Sequence, residues 1–116
     1  MERGTKDEKV FELSMLLDFY GEILSESQRE TLDLFYNDDL SLGEIADQTG
    51  ITRQGVRDRI VKGEKILTDL EAKLGLVARF LDTRREIEGI VSSLTELRET
   101  TGADVTAIIE KAKALL

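Results

Sequence analysis

The 116-residue chain contains no cysteine, no histidine and no proline. Without cysteine, neither a disulfide framework nor a thiolate zinc site can form. Without histidine, catalysis by an imidazole is excluded. The absence of proline, together with 41% hydrophobic residues, is typical of a compact, nearly all-helical protein. The chain has the length of one domain with a substantial core.

Long apolar runs are also missing, since no stretch approaches the ~20 residues that a membrane-spanning helix needs. The first nine residues are polar and precede no apolar segment of the signal-peptide type. The 24 acidic residues are scattered along the chain, and there is no glycine-rich phosphate loop. We therefore predict a cytoplasmic protein that is not an enzyme, does not insert into a membrane and needs no cofactor or metal ion.

The net charge of -8 is unevenly distributed along the chain. Residues 1–51 carry a net charge of about -9, whereas residues 52–116 carry about +1 by the same count of Lys, Arg, Asp and Glu. The segment from Thr52 to Lys65 holds five basic residues and two acidic ones. A local basic surface on an acidic protein predicts weak binding to phosphate backbones of arbitrary sequence.

The stretch from Ser41 to Ile60 carries the signals of two short helices joined by a tight turn. Ser41 can cap the first helix while Glu44, three residues on, bonds back to the Ser41 amide, which makes a capping box. Gly50 stands where the chain must turn, at a position that favours positive φ. Thr52 is a suitable N-cap for the second helix. We therefore predict a helix-turn-helix.

The apolar residues of this motif recur at helical spacing, which separates an inward set from an outward set. The residues expected to face inward are Leu42, Ile45, Ala46, Ile51, Val56 and Ile60. On the outward side of the second helix we predict a nucleic-acid-binding surface, in which Arg53, Gln54 and Arg57 reach base edges. Thr52, Arg59 and Lys62 are expected to contact phosphates. The alternative is an ordinary solvated helix face.

Helices are predicted on both sides of the motif. Residues 1 to about 7 read as a frayed leader, and a first helix ends near Gly21. Ser25 and Gln28 form a capping-box pattern at the start of the next helix. The aromatic residues of these two helices have the spacing of core residues, with the tyrosine hydroxyls at the rim. They are Phe19, Tyr20, Phe35 and Tyr36.

The apolar stripe of the second motif helix continues beyond Ile60 and can reach Leu74. Gly63 interrupts this stretch, and it marks either a bend or a close helix crossing.

A further apolar stripe runs from Leu76 to Leu97, and Gly102 is expected to end its helix. Asp104 can cap a last helix, whose apolar residues lie between Val105 and Leu116. These two stripes offer more apolar surface than a small domain needs, which predicts a homodimer held by the helices after Leu76.

Several segments resemble known families. The segment Ser25-Glu26-Ser27-Gln28-Arg29 followed by the helix-turn-helix resembles the fourth region of bacterial sigma factors, which implies recognition of promoter DNA. Four segments are similar to the YlxM family: Leu17 to Gly21, Leu34 to Ala46, Ile51 to Val56 and Glu64 to Leu67. Members of that family are small bacterial proteins encoded beside the signal recognition particle GTPase. The resemblance implies a role in that pathway or in its regulation.

The fold expected from these features is an all-α, helix-turn-helix domain of the sigma region-four type with additional C-terminal helices. Residues 1–116 are predicted to form a single domain, with a helix-turn-helix core over about 8–75 and a helical extension over about 76–116. The predicted function is that of a DNA-binding regulatory protein. The alternative is an adaptor that binds signal recognition particle RNA or its GTPase instead of DNA, which suits the acidic body.

Overall fold

The computed structural model describes residues 6–116, and no strand occurs in this part of the chain. The elements are α1 (Lys6–Tyr20), a 3-10 turn (Gly21–Ile23), α2 (Glu26–Tyr36), α3 (Leu42–Thr49), α4 (Arg53–Leu74), α5 (Leu76–Thr101) and α6 (Thr106–Lys113). The predicted all-α fold class is confirmed. Of the expected leader, residues 1–5 lie outside the described residues, and α1 already includes Lys6.

The start of α2 has the cap that the sequence predicts. The Gln28 amide donates to Ser25 Oγ at 3.2 Å, and the Ser25 amide donates to Gln28 Oε1 at 3.2 Å. The first helix ends at Tyr20, next to Gly21 as predicted. Because these signals depend on a few neighbouring residues, they can be recognised without knowledge of the tertiary packing.

The helices form two compact units, of which the first extends to Val77 and contains α1 to α4. Helix α4 is central to it, because α1, α2 and α3 all pack against α4. Leu32, Ile45 and Leu67 are completely buried in this unit. Burial of large apolar side chains from four helices gives the unit a hydrophobic core of its own.

Gly63 lies at a close crossing of α2 and α4, which decides between the two interpretations that the sequence left open. A Cβ atom at Gly63 would lie only 2.6 Å from Cδ1 of Leu32. Leu32 is completely buried, so its methyl group has little room to move away. A residue without a side chain is therefore required for this approach of the two helices.

We expect Gly63→Ala to destabilise the protein, because overpacking costs about 1 to 3 kcal/mol and outweighs alanine's helix-propensity advantage of about 1 kcal/mol. Urea denaturation followed by circular dichroism measures the change. Gly89→Ala is the matched control, since nothing lies within 4 Å of a Cβ atom placed at Gly89 of α5. That control should be neutral or stabilising. Equal stabilisation by both substitutions would contradict the close crossing.

A partly buried polar network joins the end of α1 to the junction of α4 and α5. The Tyr20 hydroxyl donates to Glu71 Oε1 at 2.6 Å and accepts a hydrogen bond from the Leu76 amide at 3.2 Å. Glu71 Oε1 also accepts from the Val77 amide at 3.1 Å. Burial and the hydrogen bond to Glu71 raise the pKa of Tyr20, so its hydroxyl stays protonated at neutral pH. Tyr20 and Glu71 thus satisfy amides of the first turn of α5 that have no intrahelical partner.

We expect Tyr20→Phe to lower the free energy of unfolding by about 1 to 3 kcal/mol, because it removes two hydrogen bonds of the partly buried network. Thermal denaturation measures this loss. Tyr36→Phe is the control: Tyr36 is also buried, but its hydroxyl makes no hydrogen bond to the described part of the chain. If both substitutions have the same small effect, the network contributes nothing to stability.

The second unit, Ala78–Leu116, contains most of α5 and all of α6. Arg98 Nη1 donates to Thr106 Oγ1 at 3.5 Å, and Arg84 Nη1 donates to the Leu116 carbonyl oxygen at 3.2 Å. These two contacts show that the chain after α5 turns back along that helix. The unit is therefore a helical hairpin.

The turn between α5 and α6 differs from the prediction in one respect. Gly102 adopts positive φ, 73°, directly after α5, as a C-terminal glycine is expected to do. The last helix begins only at Thr106, and its N-cap residue Val105 makes no side-chain cap. Asp104 instead accepts a hydrogen bond from the Thr106 amide at 3.4 Å, from within the turn.

One aromatic residue was wrongly assigned to the core. Tyr20 and Tyr36 are buried and Phe35 is half-buried, but Phe19 is 38% exposed. The reason is geometric, since adjacent residues of a helix point about 100° apart and the buried position is taken by Tyr20.

Candidate nucleic-acid interface

The helix-turn-helix is formed by α3 and α4, and both starts are capped as the sequence predicts. The Glu44 amide donates to Ser41 Oγ at 3.1 Å, and the Ser41 amide donates to Glu44 Oε1 at 2.9 Å. Gly50 turns the chain with φ of 77°. Thr52 Oγ1 accepts from the Gly55 amide at 3.0 Å and so begins α4. The turn and both helix starts are thus specified by local contacts.

The inward face of the motif holds α3 and α4 together. Ile45, Ala46, Val56 and Ile60 are buried as predicted, whereas Leu42 and Ile51 at the helix starts are only half-buried. The buried side of α4 packs on α1, α2 and α3, so the opposite side faces solvent. This arrangement determines which residues of α4 can reach a ligand.

Arg57 lies on the exposed side of α4, in its second turn. Its guanidinium makes no hydrogen bond or ion pair with the residues that the structure describes. An unengaged guanidinium presents five N–H donors in a planar arrangement suited to bidentate recognition of base edges or phosphates.

Gln54 is also exposed, but its side chain is already engaged. Gln54 Nε2 donates to Asp58 Oδ1 at 2.9 Å, one helical turn further on. The contact orients the amide and leaves its carbonyl oxygen and one N–H available. The carboxylate of Asp58 also lies on the outward face of α4. Its negative charge there repels phosphates.

Arg59 and Lys62 are not on the same side as Arg57. At about 100° per residue, Arg59 points roughly 160° away from Arg57 around the helix. Arg59 is half-buried and Lys62 is exposed in the third turn. The predicted site residues therefore occupy the outward face of α4 and both of its flanks.

The guanidinium of Arg53 lies against α3. A Cβ atom at Gly43 would be 3.0 Å from Nη2, 3.1 Å from Nε and 3.2 Å from Cζ of Arg53. The side chain thus folds back from the first residue of α4 over the first turn of α3. Gly43 is not among the predicted site residues, although a glycine in a helix where no positive φ is needed is a usable signal.

The carboxylates near the motif have distinct environments. Hydrogen bonds from the backbone amide of Ser41 and involving its side chain lower the pKa of Glu44, so this helix cap is ionised at neutral pH. Further along α4, partial burial raises the pKa of Glu64, an effect that Lys9 of α1 opposes. No cluster of acidic side chains able to hold a metal ion occurs among the described residues.

No helix in the described part of the chain is both long and apolar enough to cross a membrane.

Comparison with known proteins gives one consistent result. A family model described as "Putative helix-turn-helix protein, YlxM / p13 like" matches residues 7–111. Proteins named "UPF0122 protein" are similar over most of their length.

The protein of Acetivibrio thermocellus is 43% identical over 109 residues, covering 93% of this chain and 88% of the relative. That of Desulforamulus reducens is 38% identical over 104 residues, covering 90% and 86% respectively. That of Clostridium kluyveri is 42% identical over 98 residues, covering 84% and 88% respectively.

Proposed function

Because the chain belongs to the YlxM/p13-like family of helix-turn-helix proteins, we propose that it is a DNA-binding regulatory protein. In this proposal α4 enters the major groove and α3 crosses the sugar-phosphate backbone. The observation that carries it is the exposed side of the first two turns of α4, where Arg57 is unengaged and Gln54 is oriented by Asp58. An oriented amide and a free guanidinium are the groups that read adenine and guanine edges.

Phosphate contacts come from the margins of the same helix. Thr52 lies at the start of α4, and its hydroxyl can still donate a hydrogen bond while its oxygen accepts from Gly55. Arg59 and Lys62 occupy other sides of α4 and are assigned to phosphates on the groove walls. These contacts position the helix, whereas Gln54 and Arg57 supply the sequence preference.

The acidic character of the chain favours selective over general binding. Its net charge of -8 opposes association with a polyanion, and Asp58 adds a negative charge on the recognition face. Binding to DNA of arbitrary sequence at physiological salt should therefore be weak. A preferred site must gain its affinity from base contacts.

We expect Arg57→Ala to weaken binding to the preferred duplex by about 1 to 3 kcal/mol and to reduce discrimination against other sequences. Fluorescence anisotropy titrations at several salt concentrations measure both effects. Lys73→Ala is the matched control, since Lys73 is an exposed cation of the same helix about 24 Å further along its axis.

The control should bind almost as the wild type does. A wild type that binds no duplex at any salt concentration would contradict the DNA-binding function, and equal losses for both variants would contradict the role of Arg57.

We infer that the regulated process is the signal recognition particle pathway, on the strength of the family resemblance in the motif and its flanking segments. An adaptor that binds the particle's RNA or its GTPase is the alternative. The acidic body favours that alternative, because a structured RNA is recognised by shape and phosphates and needs fewer base contacts. If the protein binds the RNA or the GTPase and no duplex DNA, this result would contradict the DNA-binding function and support the adaptor function.

We also propose a homodimer held by the helices after Leu76. In the second unit Ile90 is 54% exposed and Leu97 is 43% exposed, seven residues apart as in a coiled-coil seam. Ile108 and Leu115 of the following segment are exposed as well. Apolar side chains at such spacing are typical of a face that is covered by a partner.

Sedimentation equilibrium should therefore give twice the monomer mass of 13.0 kDa, and Ile90→Glu with Leu97→Glu should give the monomer. A charged residue in the seam must be desolvated on association, which opposes dimer formation. Phe11→Glu is the control, because Phe11 is also an exposed apolar residue but belongs to α1. A monomeric wild type at high concentration would contradict the dimer.

A further inference from the structure

Gly43 stands in the first turn of α3, where the backbone does not require glycine. Among the described residues, the glycines with positive φ are Gly50, Gly75 and Gly102. Gly43 is not among them, so alanine could adopt its backbone conformation and would be the better helix former. The reason for glycine at this position must therefore be sought in the space that a side chain would fill.

That space is occupied by the guanidinium of Arg53. Three of its atoms, Nη2, Nε and Cζ, lie at 3.0 to 3.2 Å from the position of a Gly43 Cβ atom. The two nitrogens are slightly nearer than Cζ, so the side of the guanidinium that carries Nε and Nη2 is turned towards Gly43. Such contacts are shorter than ordinary van der Waals separations, so a methyl group at this position would force the guanidinium to shift by a few tenths of an ångström.

The location of the guanidinium bears on what it can contact. In helix-turn-helix complexes the second helix lies in the major groove, while the first crosses the backbone. A cation that lies over the first turn of α3 is therefore on the side of the motif that faces the sugar-phosphate backbone of DNA. The base-edge contact predicted for Arg53 follows only from its place on α4 and takes no account of where its guanidinium lies.

We propose that Gly43 is a positioning residue that seats the Arg53 guanidinium over α3, where it contacts a DNA phosphate and not a base edge. The inference rests on the proposed DNA-binding function and extends it to a specific pair of residues. Through this contact, Arg53 fixes the position of the two helices of the motif on the DNA backbone. Gly43 contributes only the absence of a side chain.

The proposal predicts opposite effects of Gly43→Ala on stability and on binding. Arg53 is exposed and flexible, so its guanidinium can move aside at little cost to the fold. Alanine also favours the helix, and the melting temperature should stay equal or rise. Binding should nevertheless weaken, because the displaced guanidinium no longer meets the phosphate.

A double-mutant cycle with Gly43→Ala and Arg53→Ala tests the pair. Each single substitution should weaken binding by roughly threefold for preferred and arbitrary duplexes alike, as expected for loss of one phosphate contact. Each should also reduce the slope of log K against log salt concentration by about one unit. In the Arg53→Ala background, Gly43→Ala should have no further effect.

Gly89→Ala serves as the control for a helical glycine with open space around it, and should leave affinity and salt slope unchanged. Wild-type affinity and salt slope in Gly43→Ala would overturn the inference alone. A lowered melting temperature would also overturn it, because Gly43 would then be a structural residue. A loss of affinity confined to one duplex sequence would show that Arg53 contacts a base edge, which would also overturn the inference. Failure of the wild type to bind any duplex would overturn the DNA function and this inference together.

Discussion

The packing of α4 against three other helices is the constraint on which the rest of the structure depends. Its buried side includes Val56, Ile60 and Leu67, and at Gly63 the helix approaches α2 so closely that no side chain fits. Because one side of α4 is buried against these helices, the rotation of α4 about its own axis is fixed. That rotation decides that Gln54 and Arg57 face solvent at the end where α3 meets α4. The candidate binding surface is thus a consequence of the core.

The same core anchors the start of the next helix. Tyr20 and Glu71 bring side chains from α1 and α4 to the first amides of α5, where a single residue, Gly75, separates the two long helices. A turn this short leaves no room for a local capping residue with a side chain. Helix capping at this point is therefore a tertiary interaction, in contrast to the local caps of α2, α3 and α4.

The contrast explains which features could be predicted from the sequence. The caps at Ser25, Ser41 and Thr52 depend on neighbours three residues away, and all three are present. The seat of Arg53 on Gly43 depends on the crossing of two helices and could not be read from spacing. Phe19 was misassigned because helical periodicity alone does not fix the centre of a buried face. The outward position of the site residues was predictable, but the hydrogen bonds and contacts that their side chains make were not.

The central claim, that the outward face of the helix-turn-helix meets a nucleic acid, is tested most directly by nuclear magnetic resonance. A uniformly ¹⁵N-labelled chain would be titrated at low salt with a pool of duplex DNA of random sequence. The account predicts that the amide shifts that change are concentrated between Gly43 and Lys62 and diminish with added salt. Changes concentrated in α5 and α6, or none in the helix-turn-helix, would contradict it.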